Sequence, residues 1–340
     1  MTGGDHGIRN GAKAALLSGL LVALSLPAGQ AATLRLLAAD STVFADGQKS
    51  YRIVITDPEA FRGRLLWRFA VGPGAVARSE TALRVAAQAP LVTDIVLDVP
   101  PVREGVMIEG LLTLTVVDDA GRTRATLAQP LQIYPRDPVA HRNIWLQELN
   151  VQIYDPEGAT RGVFDALEMP YQPLANLAAL AEMKQPTVLI GEGLSLRAQR
   201  GLMDVVLQVA QQGARVIVLA PVDGAFCLPE TPDGTPPSAR LLFQDRTMIR
   251  ELGKHFEAAH WADGADNVSS TFRLSGNRGL AELLVNDGWG WPWVEVRFAG
   301  GGTILLSGFA LIEQWESSPT PRYLLVRMLE YITKPKETVK

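Results

Sequence analysis

The feature that most narrows the fold is a change of hydrophobic period at Pro135-Arg136-Asp137-Pro138. Before it the apolar residues alternate in short runs, as half-buried strands require. Leu34 to Leu36, Tyr51 to Ile55, Leu65 to Phe69, Thr93 to Leu97, Leu111 to Val117 and Ala128 to Tyr134 all follow this pattern. Turn chemistry separates them, at Asp46-Gly47, Gly72-Pro73-Gly74, Pro100-Pro101 and Asp118-Asp119-Ala120-Gly121. Roughly seven short strands in about 100 residues predict an immunoglobulin-like β-sandwich. The two prolines of the junction lack ladder donors and disfavour helix, so the domain boundary is expected there.

After the junction the period lengthens. Ile144 to Tyr154 reads as a strand, and Thr160 to Leu167 as a helix. A short strand at Tyr171 to Leu174 and a short helix at Leu177 to Met183 follow. Thr187 to Ile190 and Arg215 to Leu219 are continuous apolar runs, typical of strands buried on both faces. Between them a helix capped by Ser195 is expected to run to Gln212, with Gly213 as its stop. Ala220 to Ser238 is a Pro- and Gly-rich loop; Met248 to His260 resumes a helix. Glu282 to Val285, Val294 to Phe298 and Thr303 to Leu306 read as strands, and Tyr323 to Ile332 as a closing helix. This β-α-β-α-β alternation predicts a parallel sheet covered on both sides.

The N-terminal residues have the form of a secretory signal. Arg9 and Lys13 precede an apolar run from Ala14 to Leu26, about 13 residues long and too short to span a bilayer as a helix. Small residues around Ala31 supply a cleavage point, and an uncleaved anchor is the alternative. The expected organisation is a signal peptide over 1–31, a sandwich over 32–135 and an α/β domain over 139–335. The mature chain is then exported, periplasmic or extracellular, without a membrane span. The single cysteine, Cys227, excludes an internal disulfide and a cysteine-built zinc cage. With a net charge of −4 and its basic residues scattered among acids, the chain lacks the clustered positive charge that nucleic acid requires.

Several segments after the junction carry a resemblance in their order. They are Ile153-Tyr154-Asp155-Pro156-Glu157-Gly158-Ala159-Thr160, then Leu167-Glu168-Met169-Pro170-Tyr171, then Val188-Leu189-Ile190-Gly191-Glu192-Gly193. Gln212 to Val218, Gly300 to Phe309 and Ser318 to Leu325 complete the series. Together they resemble a class I glutamine amidotransferase-like domain, of the kind found on exported proteins related to glycoside hydrolase family 2. The resemblance covers roughly residues 140 to 335 and implies a flavodoxin-like α/β fold. In active members a Cys sits at a tight strand-to-helix elbow, with a His and an acid later. Here Cys227 lies in the Pro-rich loop, no Gly-x-Cys-x-Gly occurs, and His255 and His260 fall on a predicted helix. No catalytic residue is therefore assigned, and no cofactor or metal is implied.

Two groups remain as candidate binding residues. Asp155, Glu157, Glu192 and Asp223 fall where parallel strands end, the place where open α/β sheets bind ligands. They also suit the capping of turns and helix starts. Trp289, Trp291 and Trp293 alternate with Gly and Pro, so an extended chain sets them on one face. Such a row can stack on sugars or anchor a protein, or can fill a core. The function expected is an exported non-catalytic binding or scaffold protein associated with polysaccharide metabolism, with carbohydrate or another envelope protein as partner. The alternatives are a cryptic hydrolase using the strand-end acids and a subunit of a membrane or cell-envelope assembly.

Overall fold

The structure is a computed structural model. It describes residues 32–37, 40–183, 186–223, 226–227, 239–242, 261, 268–272, 274–275, 292–298 and 300–334. The described chain is mostly β-sheet, in several sheets with few helices. The signal segment, the helix at Met248 to His260, the strand at Glu282 to Val285, Trp289 and Trp291 lie outside the described residues.

Eight strands precede the junction: β1 (Thr33–Leu36), β2 (Thr42–Phe44), β3 (Gly47–Thr56), β4 (Phe61–Val71), β5 (Gly74–Val85), β6 (Leu91–Val99), β7 (Ile108–Asp118) and β8 (Thr123–Tyr134). One sheet has the order β1-β3-β6, the other β2-β8-β7-β4-β5. Every neighbouring pair is antiparallel except β2 with β8. Alternation turns Tyr51, Ile53, Ile55, Ile95 and Leu97 of the first sheet toward Leu65, Phe69, Leu112, Leu114 and Ile133 of the second, in one shared core.

Asp40, Asp57 and Asp118 are buried in this region, Asp57 completely. Asp57, fully buried, accepts two hydrogen bonds from Arg124 (Nε 3.1 Å, Nη2 2.9 Å) and one from the Glu59 N–H (2.9 Å). Burial pushes its carboxyl up. The Arg124 hydrogen bonds, the Glu59 amide and the Arg124 charge outweigh that and hold it below the ordinary value. A carboxyl depressed in the folded state contributes stability above its unfolded value, and loses it as pH falls through the folded one. Acid titration of unfolding should therefore show a loss of stability below the usual carboxylate range. Asp57→Asn should remove part of that acid slope, read by urea melts at several pH values.

After the junction come α1 (Asn143–Leu149), β9 (Val151–Tyr154), α2 (Ala159–Ala166), β10 (Gln172–Pro173), α3 (Leu177–Ala181), β11 (Thr187–Ile190), α4 (Leu202–Gln211) and β12 (Arg215–Val218). Then follow β13 (Phe226–Cys227), β14 (Ala239–Leu242), β15 (Leu274–Ser275), β16 (Trp293–Phe298), β17 (Thr303–Ser307) and the long helix α5 (Pro319–Thr333). Seven strands form a sheet of order β10-β9-β11-β12-β17-β16-β14. The first five are parallel, β16 runs against β17, and β14 runs against β16. β13 and β15 form a separate parallel pair. Ile153, Leu189, Ile217 and Leu305 pack on one side with Phe164 of α2 and Leu325 and Met328 of α5. Val188, Ile190, Val216 and Leu306 pack on the other with Leu180 of α3 and Val206 of α4.

Gly302 shows how tightly β17 is seated. A Cβ there would stand 1.8 Å from the Ala210 carbonyl oxygen at the end of α4. Only glycine lets the backbones approach that closely.

Two sequence expectations are corrected. Ile144 to Tyr154 is not one strand but α1 followed by β9. Asn150 takes the left-handed conformation (φ 45°) and its N–H closes the helix on the Gln147 carbonyl. The apolar residues Trp145, Leu146 and Leu149 fit helical spacing as well as they fit a strand. The helix expected from Ser195 begins only at Leu202, because Gly201 in the left-handed region (φ 81°) interrupts the backbone before it.

The junction is held rather than loose. The Tyr323 hydroxyl donates to the Pro135 carbonyl (3.1 Å), and Arg322 Nη1 donates to the Arg136 carbonyl (2.7 Å). The rings of Tyr134 and Tyr323 are 4.5 Å apart. The start of α5 is thus docked onto β2, β8 and the Pro135–Pro138 segment.

Candidate functional site

The sheet order reverses beside β9: β10 lies on one side of it and β11 on the other. Loops leaving the carboxyl ends of such strands diverge and open a crevice. Here they enclose a cleft of about 490 Å³ bordered by Glu192, Gly193, Val222, Ser269 and Ile312.

Glu192 follows β11 and is buried, 7 % exposed. Its Oε2 accepts from the Leu311 N–H (2.9 Å) and the Ile312 N–H (2.8 Å), and its Oε1 from the Glu313 N–H (2.9 Å). Its own N–H donates to the Thr160 hydroxyl at 3.0 Å. The carboxylate therefore joins the end of β11 to the loop after β17, and the Glu192 backbone joins it to α2. Burial pushes the Glu192 carboxyl up, and the three amides oppose that without reversing it.

Asp155 follows β9 and is also buried. Its Oδ2 accepts the Arg161 N–H at 2.9 Å, satisfying a donor in the first turn of α2. A Cβ on Gly191 would lie 2.5 Å from Asp155 Oδ1, so glycine at that position makes room for the carboxyl. Glu157 is exposed in the loop before α2.

Asp223 follows β12. Its Oδ1 accepts from the Ser195 hydroxyl (2.7 Å) and the Arg197 N–H (3.2 Å). The Ser195 hydrogen bond leads the causes that hold its carboxyl below the ordinary value. Ser195 Oγ in turn accepts the Ala198 N–H at 3.0 Å, so the serine caps a turn rather than α4 itself. Ser195→Ala should cost about 1 kcal/mol in a denaturation experiment, the size of a lost cap.

The structure thus brings Asp155, Glu192 and Asp223 to neighbouring strand ends, each holding backbone N–H groups. Trp293 lies elsewhere: it is buried in the sheet core, 6.4 Å from the Phe309 ring, which stacks on Trp261 at 5.8 Å. Among the described residues no group of three or more His, Cys, Asp or Glu could hold a metal ion. Nor is any described helix long and apolar enough to cross a membrane. Sequence reasoning missed the amides of Leu311 to Glu313 and the Thr160 hydroxyl. Backbone donors leave no residue-type signal, and a lone threonine leaves little.

No protein-family model matches the chain, and no curated protein matches it. Solved structures with partial likeness include the sporulation control protein Spo0M from Bacillus subtilis, at 11 % identity and TM-score 0.25 over 35 % of this chain and 54 % of that one. Another is the alkylpurine DNA glycosylase AlkC from Pseudomonas fluorescens, at 10 % identity and TM-score 0.23 over 31 % of each chain. The fibronectin(III)-like modules of Clostridium thermocellum CbhA align at 13 % identity and TM-score 0.20, over 30 % of this chain and 96 % of that one. The chain spans about half or less of the length of the first two.

Proposed function

We propose that this is an exported, non-catalytic binding or scaffold protein, associated with polysaccharide and taking its ligand in the cleft beside Glu192. In this reading the region before the junction is an immunoglobulin-like sandwich and the region after it a flavodoxin-like, glutamine amidotransferase-like domain. The order β10-β9-β11-β12-β17 supports the latter, since it places the second strand outside the first and the third on its other side. The observation that carries the functional reading is the Glu192 carboxylate, both of whose oxygens are engaged by backbone donors. A group so engaged is a structural clamp, poorly placed to exchange a proton with a substrate.

A glycan array on the purified protein tests this, with Val222→Trp as its partner. Val222 is 69 % exposed at the cleft border, so the larger ring should obstruct the cleft without disturbing the core. Bound glycans should lose about tenfold or more in affinity, the scale of an obstructed anchor. Binding unchanged by Val222→Trp would move the ligand elsewhere.

A second reading, a cryptic hydrolase, draws on one observation: burial raises the Glu192 carboxyl inside a cleft, as in many general acids. It requires turnover of glycosides or amides that disappears in Glu192→Gln.

A further inference from the structure

The outer face of the β4–β5 pair, remote in sequence from the cleft, has an unusual charge pattern. Leu65 and Phe69 of β4 and Leu83 and Val85 of β5 point into the core. Alternation therefore sends Arg62, Arg64 and Arg68, with Arg78 and Arg84, to the opposite face, and all five are exposed. The register sets Arg68 directly opposite Arg78, and Arg62 directly opposite Arg84. Like charges in such pairs repel and weaken a sheet. Glu80 is the one acid in the two strands, and it pairs with Arg64 at 3.2 Å. The face is hollow as well as basic: a groove of about 640 Å³ runs over Arg68, Arg78, Thr113 and Thr115, with Leu66, Trp67 and Glu80 also in its lining.

We propose that this groove binds a linear acidic polysaccharide, its uronate carboxylates seated on the arginines and its hydroxyls on Thr113 and Thr115. Guanidinium groups form paired hydrogen bonds with carboxylates, and an anion between two facing arginines converts their repulsion into attraction. Arg62 and Arg68 are six residues apart, about 20 Å along a strand, so an extended polymer meets both where a small anion cannot. Threonine hydroxyls in a groove suit sugar hydroxyls. Of the groove's lining residues Trp67 alone is aromatic, too little for a row of stacked bases, and the exposed Leu111 is a single apolar group beside Thr113 rather than a patch for entering a bilayer, which argues for a saccharide over nucleic acid or membrane. β5 is the sheet edge, and arginines there also discourage edge pairing. That role does not call for arginines on β4, which is paired on both sides.

This surface is separate from the cleft, so the two readings can fail independently. Titration calorimetry of the full chain with polygalacturonate, compared with neutral dextran, tests it. Wild type should bind polygalacturonate, more weakly as salt rises, and should leave dextran unbound. The double variant Arg68→Gln/Arg78→Gln should lose about tenfold or more in affinity, the scale of charge-assisted hydrogen bonds, while its melting temperature stays level or rises. Arg35→Gln, on the other sheet, should bind as wild type does. Undiminished binding by the double variant, or equal affinity for dextran, would overturn the proposal. So would tighter binding to duplex DNA or to phosphatidylserine vesicles than to polygalacturonate.

Discussion

Arg322→Ala should lower the unfolding free energy by about 3 kcal/mol or more, as two backbone carbonyls lose a charged donor and a void opens among aromatic rings. Arg322 is 4 % exposed near the start of α5. Its Nε donates to the Trp315 carbonyl (2.7 Å), Nη1 to the Arg136 carbonyl (2.7 Å) and Nη2 to Glu316 Oε2 (2.6 Å). The guanidinium also lies over Phe44 of β2 (4.6 Å) and Trp315 (5.4 Å). Truncation leaves two carbonyls without this donor and opens a void among rings from both sides of the junction. Lysine should recover little, because a point charge cannot reproduce the planar fork or the stacking. Faster proteolysis at Pro135–Pro138 in the alanine variant would show that the junction, and not only α5, has loosened. Unchanged stability and unchanged cleavage would mean that the two regions are joined some other way.

Glu192→Ala should cost about 3 kcal/mol, as three backbone donors lose a charged acceptor and at least one, on fully buried Leu311, has no route to water. Amide exchange locates the effect. Protection at Leu311, Ile312 and Glu313 should fall in the variant more than at Leu305 or Leu306 in β17. An effect confined to β11, with the 311–313 amides still protected, would mean that Glu192 does not hold that loop.

The legible parts of the fold are those whose burial is one-sided or complete. Tyr51-Arg52-Ile53-Val54-Ile55 alternates because one face of β3 meets the core, and Thr187 to Ile190 is uniformly apolar because β11 is buried throughout. β5 escaped notice. Gly74 to Ala82 is an exposed edge stretch of mostly small and polar residues, and the buried apolar residues Leu83 and Val85 come only at the strand's end. β2 is only three residues long, and its value lies in touching β8 and α5, a long-range fact. In α1 a short apolar segment fitted two periods, and the deciding element was the left-handed Asn150.

The candidate site was legible in position but not in chemistry. Asp155, Glu192 and Asp223 could be placed at strand ends because βα units deliver residues there by construction. Their roles depend on amides of residues 6, 119 to 121 and 26 positions away, at Arg161, Leu311 to Glu313 and Arg197. Local pattern does not encode such partners. Trp293 shows the converse: spacing gave the three tryptophans a common face, and the structure turns this one inward against Phe309.

We propose that Glu192 clamps a binding cleft and performs no chemistry. Wild type and Glu192→Gln should be assayed together on a broad panel of glycosides and amides, with melting temperature recorded on the same samples. The clamp predicts no turnover by either protein and a lower melting temperature in the glutamine variant. Turnover by wild type that is abolished in Glu192→Gln at an unchanged melting temperature would contradict it.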